Sequence, residues 1–130
     1  MATMRQWVYS RLAADSALLL IHEGRIFSAR GLISTPPFPF LAIDFSTSTD
    51  ELTDVAWRQI FRVWVHDEPG SYDLIDQTMQ DIRRVLVTGE SEVDMLACRF
   101  SEESPDLRDD GHNSVTRYVR FFATRIREGV

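Results

Sequence analysis

Residues 55–86, VAWRQIFRVWVHDEPGSYDLIDQTMQDIRRVL, hold two hydrophobic periods in succession. From Val55 to His66 the side chains alternate, with Val55, Trp57, Phe61, Val63 and Val65 on one face. A period of two predicts a strand with that face in the core. The opposite face carries Ala56, Arg58, Ile60, Arg62, Trp64 and His66, and it is neither clean core nor clean solvent. Arginine stems covering apolar atoms account for such a face on an exposed sheet. A protein contact accounts for it equally, because Trp and Arg are enriched at interfaces.

After Asp67 the period lengthens. Tyr72, Ile75, Met79, Ile82 and Leu86 recur at helical spacing and form one apolar stripe. The pattern predicts a helix over 69–88, with Asp67 as N-cap, Pro69 in the first turn, Arg83 and Arg84 near the carboxyl end and Gly89 as a stop. Asp73, Asp76, Gln77, Gln80 and Asp81 fall mostly off the stripe. They read as a solvent-facing or subunit-facing surface, not as a catalytic set.

Working outward, Met4, Trp7, Val8 and Leu12 share a face of a first helix over 4–14, and Asp15 can cap a short second one through ALLLIH. RIFS at 25–28 reads as a short strand, and the proline-rich ARGLISTPPFPF as a loop. FLAIDFSTS at 40–48 is a strand, and STDELTD a hairpin tip. A strand is expected at 92–100, an acidic mobile loop at 101–113, and a last strand through SVTRYVRFFATRIR. The order predicts one domain over 1–130 of α+β class, with two main helices packed on one face of a largely antiparallel or mixed sheet.

The chain has 130 residues, a formal net charge of −6 and 14 basic residues, all of them arginine. That balance argues against non-specific duplex binding, which depends on releasing counterions from many phosphates. No apolar run is long enough to span a bilayer, and no secretion signal is expected. Cys98, the single cysteine, alternates with Leu96 and Phe100 and reads as a buried strand thiol.

No constellation for catalysis emerges. His22, His66 and His112 lie far apart in sequence, without zinc-ligand spacing, and read as surface or strand-end residues. GxGxxG, Walker A and GxSxG patterns are missing from the sequence. DLRDDGHNSVTR at 106–117 has the length of an EF-hand loop, but Arg108 and Arg117 stand where oxygen ligands belong. The expectation is a protein with no cofactor, no metal and no enzymatic activity.

HDEPGSY at 66–72, with Ile75, Asp76 and Leu86 beyond it, resembles the central helix of the tail terminator, or tail completion, proteins of long-tailed bacteriophages. SPDLRDDG at 104–111, leading into RYVRFF, continues the likeness, and the first half matches more loosely. The resemblance implies a small α+β fold that assembles as a hexameric ring on the last ring of the tail tube. It also implies that the ring stops tube polymerisation and presents a surface to the head-side connector or stopper protein. DNA would pass through the bore without specific binding, and no membrane is involved. The location implied is the head-proximal end of the virion tail, after assembly in the host cytoplasm. The mixed strand face, the helix acids and the arginines of the last strand then become candidate subunit or tube contacts: Arg58, Arg62, Trp64, Asp73, Asp76, Asp106, Asp110, Arg117 and Arg120. Two other readings stand beside this one. The first is another connector component, a stopper or neck protein. The second is a small hydrolase or ligand-binding domain with a pocket built from His66, Tyr72 and Asp76.

Overall fold

The structure, a computed structural model, describes residues 4–32, 34–51, 56–87 and 95–126. Among these, three α-helices pack on a six-stranded mixed sheet, which is the expected α+β class. The chain runs α1 (Met4–Ala14), α2 (Ser16–His22), β1 (Ile26–Ser28), β2 (Phe40–Glu51), β3 (Ala56–Asp67), α3 (Tyr72–Leu86), β4 (Met95–Glu103), β5 (Leu107–Asp109) and β6 (Ser114–Ile126). The sheet order is β1-β2-β3-β6-β4, with β5 also paired to β6. Only β1 and β2 are parallel; the other pairings are antiparallel.

The period change in the 55–86 stretch marks the real boundary between strand and helix, but the entry to the helix differs from the expectation. Asp67 is the last residue of β3, not a helix cap, and its Oδ1 accepts the Glu68 amide at 2.7 Å. Glu68, Pro69, Gly70 and Ser71 form a tight turn, closed by the Ser71 amide on the Glu68 carbonyl at 3.2 Å. Gly70 adopts φ +99°, which breaks a helix but fits the third position of a type II turn with proline before it. The helix therefore begins three residues later than expected, at Tyr72. Its stripe is as anticipated: Ile75, Met79, Ile82 and Leu86 are buried and Tyr72 packs at the margin. Thr78 is buried as well, its hydroxyl donating to the Leu74 carbonyl at 2.7 Å.

Val8 and Leu12 of α1 and Leu18 of α2 join this stripe over the odd-numbered face of the sheet. Leu41, Ile43 and Phe45 of β2 meet them there, with Phe61, Val63 and Val65 of β3 and Val115, Val119, Phe121 and Ala123 of β6. Asp15 caps α2 as expected, accepting the Leu18 amide at 3.0 Å. The same carboxylate receives two hydrogen bonds from Arg84, at 3.0 and 3.1 Å, which tie α2 to the end of α3 and hold the Asp15 carboxyl below the usual range. Cys98 is fully buried, and burial pushes its thiol up to about 12, so it is no nucleophile at neutral pH.

Two expectations about the second half change. The 101–113 segment is not one continuous loop. Its first three residues finish β4, Leu107–Asp109 form β5, and Ser104 is buried, its amide bonded to the Tyr118 carbonyl at 3.0 Å. Residues 104–106 connect β4 to β5 and 110–113 form the turn into β6, because backbone pairing with β6 outweighs the repulsion of like charges at the surface. His22, expected at the surface, is fully buried: Nδ1 accepts the Gly24 amide at 2.9 Å, so Nε2 donates to the Leu12 carbonyl at 3.2 Å. The expected hairpin tip is strand as far as Glu51; the rest of it, Val55, the Gly89 stop and the first residues of the 92–100 strand lie outside the described residues. So do the side chains of Met4, Trp57 and Leu96.

Candidate functional site

The even-numbered face of the sheet has no α-helix on it among the described residues. Arg58, Ile60, Arg62 and Trp64 of β3 lie there, all partly buried, beside Tyr118, Arg120 and Phe122 of β6. Register makes this face. Trp64 is opposite Tyr118, Arg62 opposite Arg120 and Ile60 opposite Phe122. The result is a ladder in which cations lie over rings. Arg62 is 5.3 Å from the Tyr118 centroid, and Arg58 and Arg120 are 5.2 and 5.6 Å from that of Phe122. The rings of Trp64 and Tyr118 are 4.8 Å apart. Stacking on a ring keeps a guanidinium extended and half-desolvated without neutralising it.

Asp44 of β2 lies opposite Arg62 in the register. Glu102, across from Arg120 on β4, accepts from Arg120 at 3.3 Å and from the Tyr118 hydroxyl at 3.2 Å. Arg62 has no carboxylate partner among the described residues, and the Nε of Arg120 is buried without an acceptor. An acidic chain thus carries a locally cationic, aromatic face in which the Arg120 Nε lacks an acceptor.

One end of this face is covered. Residues 29–32 and 34–39 lie against it, with Phe38 stacked on Phe40, and Phe40 and Ala42 are buried although they point away from the helices. His66 stacks on Phe40 with centroids 4.7 Å apart and bonds through Nδ1 to the Ser114 hydroxyl at 2.9 Å. Burial drives its pKa down to about 4, so it is neutral at pH 7. His112 meets it edge-on at 5.5 Å and bonds through Nδ1 to the Thr35 hydroxyl at 2.9 Å. Between this end and the ladder lies a recess of about 220 Å³. Ala29, Leu32 and Ala42 supply its apolar lining, and Asp44, Trp64, His66, Asp109 and His112 the rest.

The nine candidate contacts therefore separate into groups. Arg58, Arg62, Trp64 and Arg120 are together on the open face. Arg117 is not: it alternates with Val115 and Val119 on the helix-covered side, where it pairs with Asp76, with Glu103 at 3.6 Å and with Asp106 at 3.7 Å. Its Nε also donates to the Ser104 carbonyl at 3.0 Å. Asp76, Asp106 and Arg117 form a clasp between α3 and the β4–β5 connection. Asp73 is exposed in the first turn of α3, and Asp110 is exposed in the turn after β5, 3.4 Å from Arg108. The pocket imagined from His66, Tyr72 and Asp76 does not form. His66 lines the recess, whereas Asp76 sits in the clasp and the Tyr72 hydroxyl donates to the Leu107 carbonyl at 3.0 Å. Among the described residues no group of three or more His, Cys, Asp or Glu could hold a metal, and no helix is long and apolar enough to cross a membrane.

No protein family matches the chain by sequence, and no curated protein does. Among solved structures, a chain in the "Virion of native gene transfer agent (GTA) particle" shares the fold with a TM-score of 0.68 and 16% identity, over 92% of this chain and 92% of that one.

Proposed function

We propose that this chain is a structural component of a phage-like virion that caps the end of a tail tube as a six-membered ring, stops its polymerisation and offers the head-joining surface. The fold shared over almost the full length with a virion chain is the observation that carries this reading. The open sheet face supports it from the physics. A ring needs two different surfaces per subunit that meet head to tail and close. Trp64, Tyr118 and three stacked arginines provide one surface with the composition of an interface core. The unmet Nε donor of Arg120 calls for an acceptor on the surface that meets it. The protein acts by capping, with no chemistry of its own, and its overall negative charge avoids gripping DNA in the bore.

The test is a particle-producing strain that lacks this gene. It should make normal heads and accumulate tubes of uncontrolled length that do not join them, and added protein should restore defined tails. Normal tails in its absence, with a defect confined to DNA packaging or lysis, would overturn the reading.

A further inference from the structure

The open face supplies one of the two surfaces that a closed ring needs, and the exposed charges of the chain point to the other. Among the described residues every exposed carboxylate but two is paired with an arginine of the same chain. The two are Glu68 and Asp73, and they flank one turn. Glu68 opens it, and Asp73 stands in the first turn of α3, where the helix dipole favours a carboxylate. The turn is well anchored. Asp67 Oδ1 accepts the Glu68 amide at 2.7 Å, the Glu68 carbonyl accepts the Ser71 amide at 3.2 Å, and the Tyr72 hydroxyl donates to the Leu107 carbonyl at 3.0 Å. Both carboxylates are thus presented on a backbone with little freedom left to lose on binding. Leu74, beside Asp73, is 41% exposed and adds an apolar contact to the same surface.

Buried polar atoms give a second, independent sign. Asp67, just inside the turn, is 5% exposed, and its Oδ2 is buried with no hydrogen-bond partner. The Nε of Arg120 on the open face is buried without one as well. Each orphan is costly in the free subunit. One is an acceptor and the other a donor, and they lie on opposite sides of the sheet, since Asp67 shares the parity of Val65 and Arg120 that of Tyr118. Acceptors in excess on one side and donors on the other suit a head-to-tail contact. Two open faces set against each other would instead bring arginine against arginine.

We infer that the turn entering α3, with Glu68, Asp73 and Leu74, is the second ring surface and seats on the arginine and aromatic face of the next copy of this chain. The inference rests on the ring reading above. Its carboxylates answer guanidiniums that stacking on Tyr118 and Phe122 leaves charged, and Leu74 packs on the rings between them.

Mixed subunits test the pairing. Glu68→Gln combined with Asp73→Asn, and separately Asp73→Arg, should leave a folded subunit that needs roughly tenfold or more protein to assemble than the natural chain does. Arg62→Glu should fail to assemble in the same way. Mixed one to one, the Asp73→Arg and Arg62→Glu subunits should form rings again. Alternation then sets Glu at position 62 against Arg at position 73 in every second seam and the natural charges in the others. The neutral double variant carries the test if the reversal at 73 unfolds the helix entry. Assembly of the neutral variant at the natural concentration, or a mixture of folded subunits that stays monomeric, overturns the turn as the second surface while the ring reading stands. A natural protein that stays monomeric, even on tube ends, overturns the ring reading and this surface together.

Discussion

Phe61, Val63 and Val65 on one side of β3 are sealed under helices, while Arg58, Ile60, Arg62 and Trp64 on the other side stay half-buried beneath none among the described residues. The two sets alternate along one strand and share its backbone hydrogen bonds. What separates them is what they bury against. The helix side has an apolar stripe from each helix and reaches a dry core. The open side compensates for a missing layer with arginine stems laid over Tyr118 and Phe122. Stability therefore resides on the first face, the proposed assembly contact lies on the second, and substitutions on the two should have different consequences.

The largest effect belongs to the sealed face. Ile82 is fully buried, and Ile82→Asp places an unpaired charge in the core at a cost of several kcal/mol, on the order of 5 or more, comparable with the whole stability of a domain. Thermal unfolding should show no folded variant. Asp73→Ala, on the opposite, exposed side of the same helix, should change stability by less than about 1 kcal/mol. Equal stability of the two variants would mean that the helix phase is wrong.

Acid should act next, and through both faces. Burial lowers the pKa of His22 beneath the helices and of His66 behind the open face, the latter to about 4. Unfolded, both titrate near 6.5. As pH falls below 6.5 the unfolded chain binds protons that the native rings refuse, so stability is lost between about 6.5 and 4. His66 alone is worth about 2–3 kcal/mol over this window. Asp67, whose carboxyl burial raises, opposes the trend by taking up its proton more readily in the folded state. Urea midpoints at pH 7 and 4.5 should differ accordingly, and His66→Gln should narrow the gap. A midpoint independent of pH would contradict the buried imidazoles.

A smaller loss is expected at the clasp. Arg117→Ala removes the pairs to Asp76, Glu103 and Asp106 and the bond to the Ser104 carbonyl, at a cost of about 1–2 kcal/mol, because most of its acids keep access to water. The urea midpoint should drop slightly while assembly persists. A loss of assembly in a stable Arg117→Ala subunit would return that arginine to the interface.

Much of this contrast was legible in the sequence, because period is a local property. The shift from two to helical spacing placed β3, α3 and the core stripe, and Asp15 announced its cap. The start of α3 was misread since Asp-Glu-Pro fits a helix entry as well as a turn, and only the positive φ of Gly70 decides between them. The open face was half legible. Alternation put Arg58, Arg62 and Trp64 together, but Tyr118, Arg120 and Phe122 joined them through the pairing of β3 with β6, which is non-local. Parity along β6 does place Arg117 with Val115 and Val119, opposite Arg120, and that signal could have separated it from the open-face arginines. Nothing in sequence brings His66, His112 and Asp109 to one recess, because the turn after β5 and Thr35 meet only in three dimensions.

The open face as the surface that drives assembly is tested most directly by the native mass of the protein across a concentration series, for the natural sequence and for Arg62→Glu. The account predicts a species of six copies of the 15.0 kDa chain for the natural protein, and a folded monomer with unchanged thermal stability for the variant. A hexamer that forms equally well with Glu at position 62, or a natural protein that remains monomeric even in the presence of tail tubes, would contradict it.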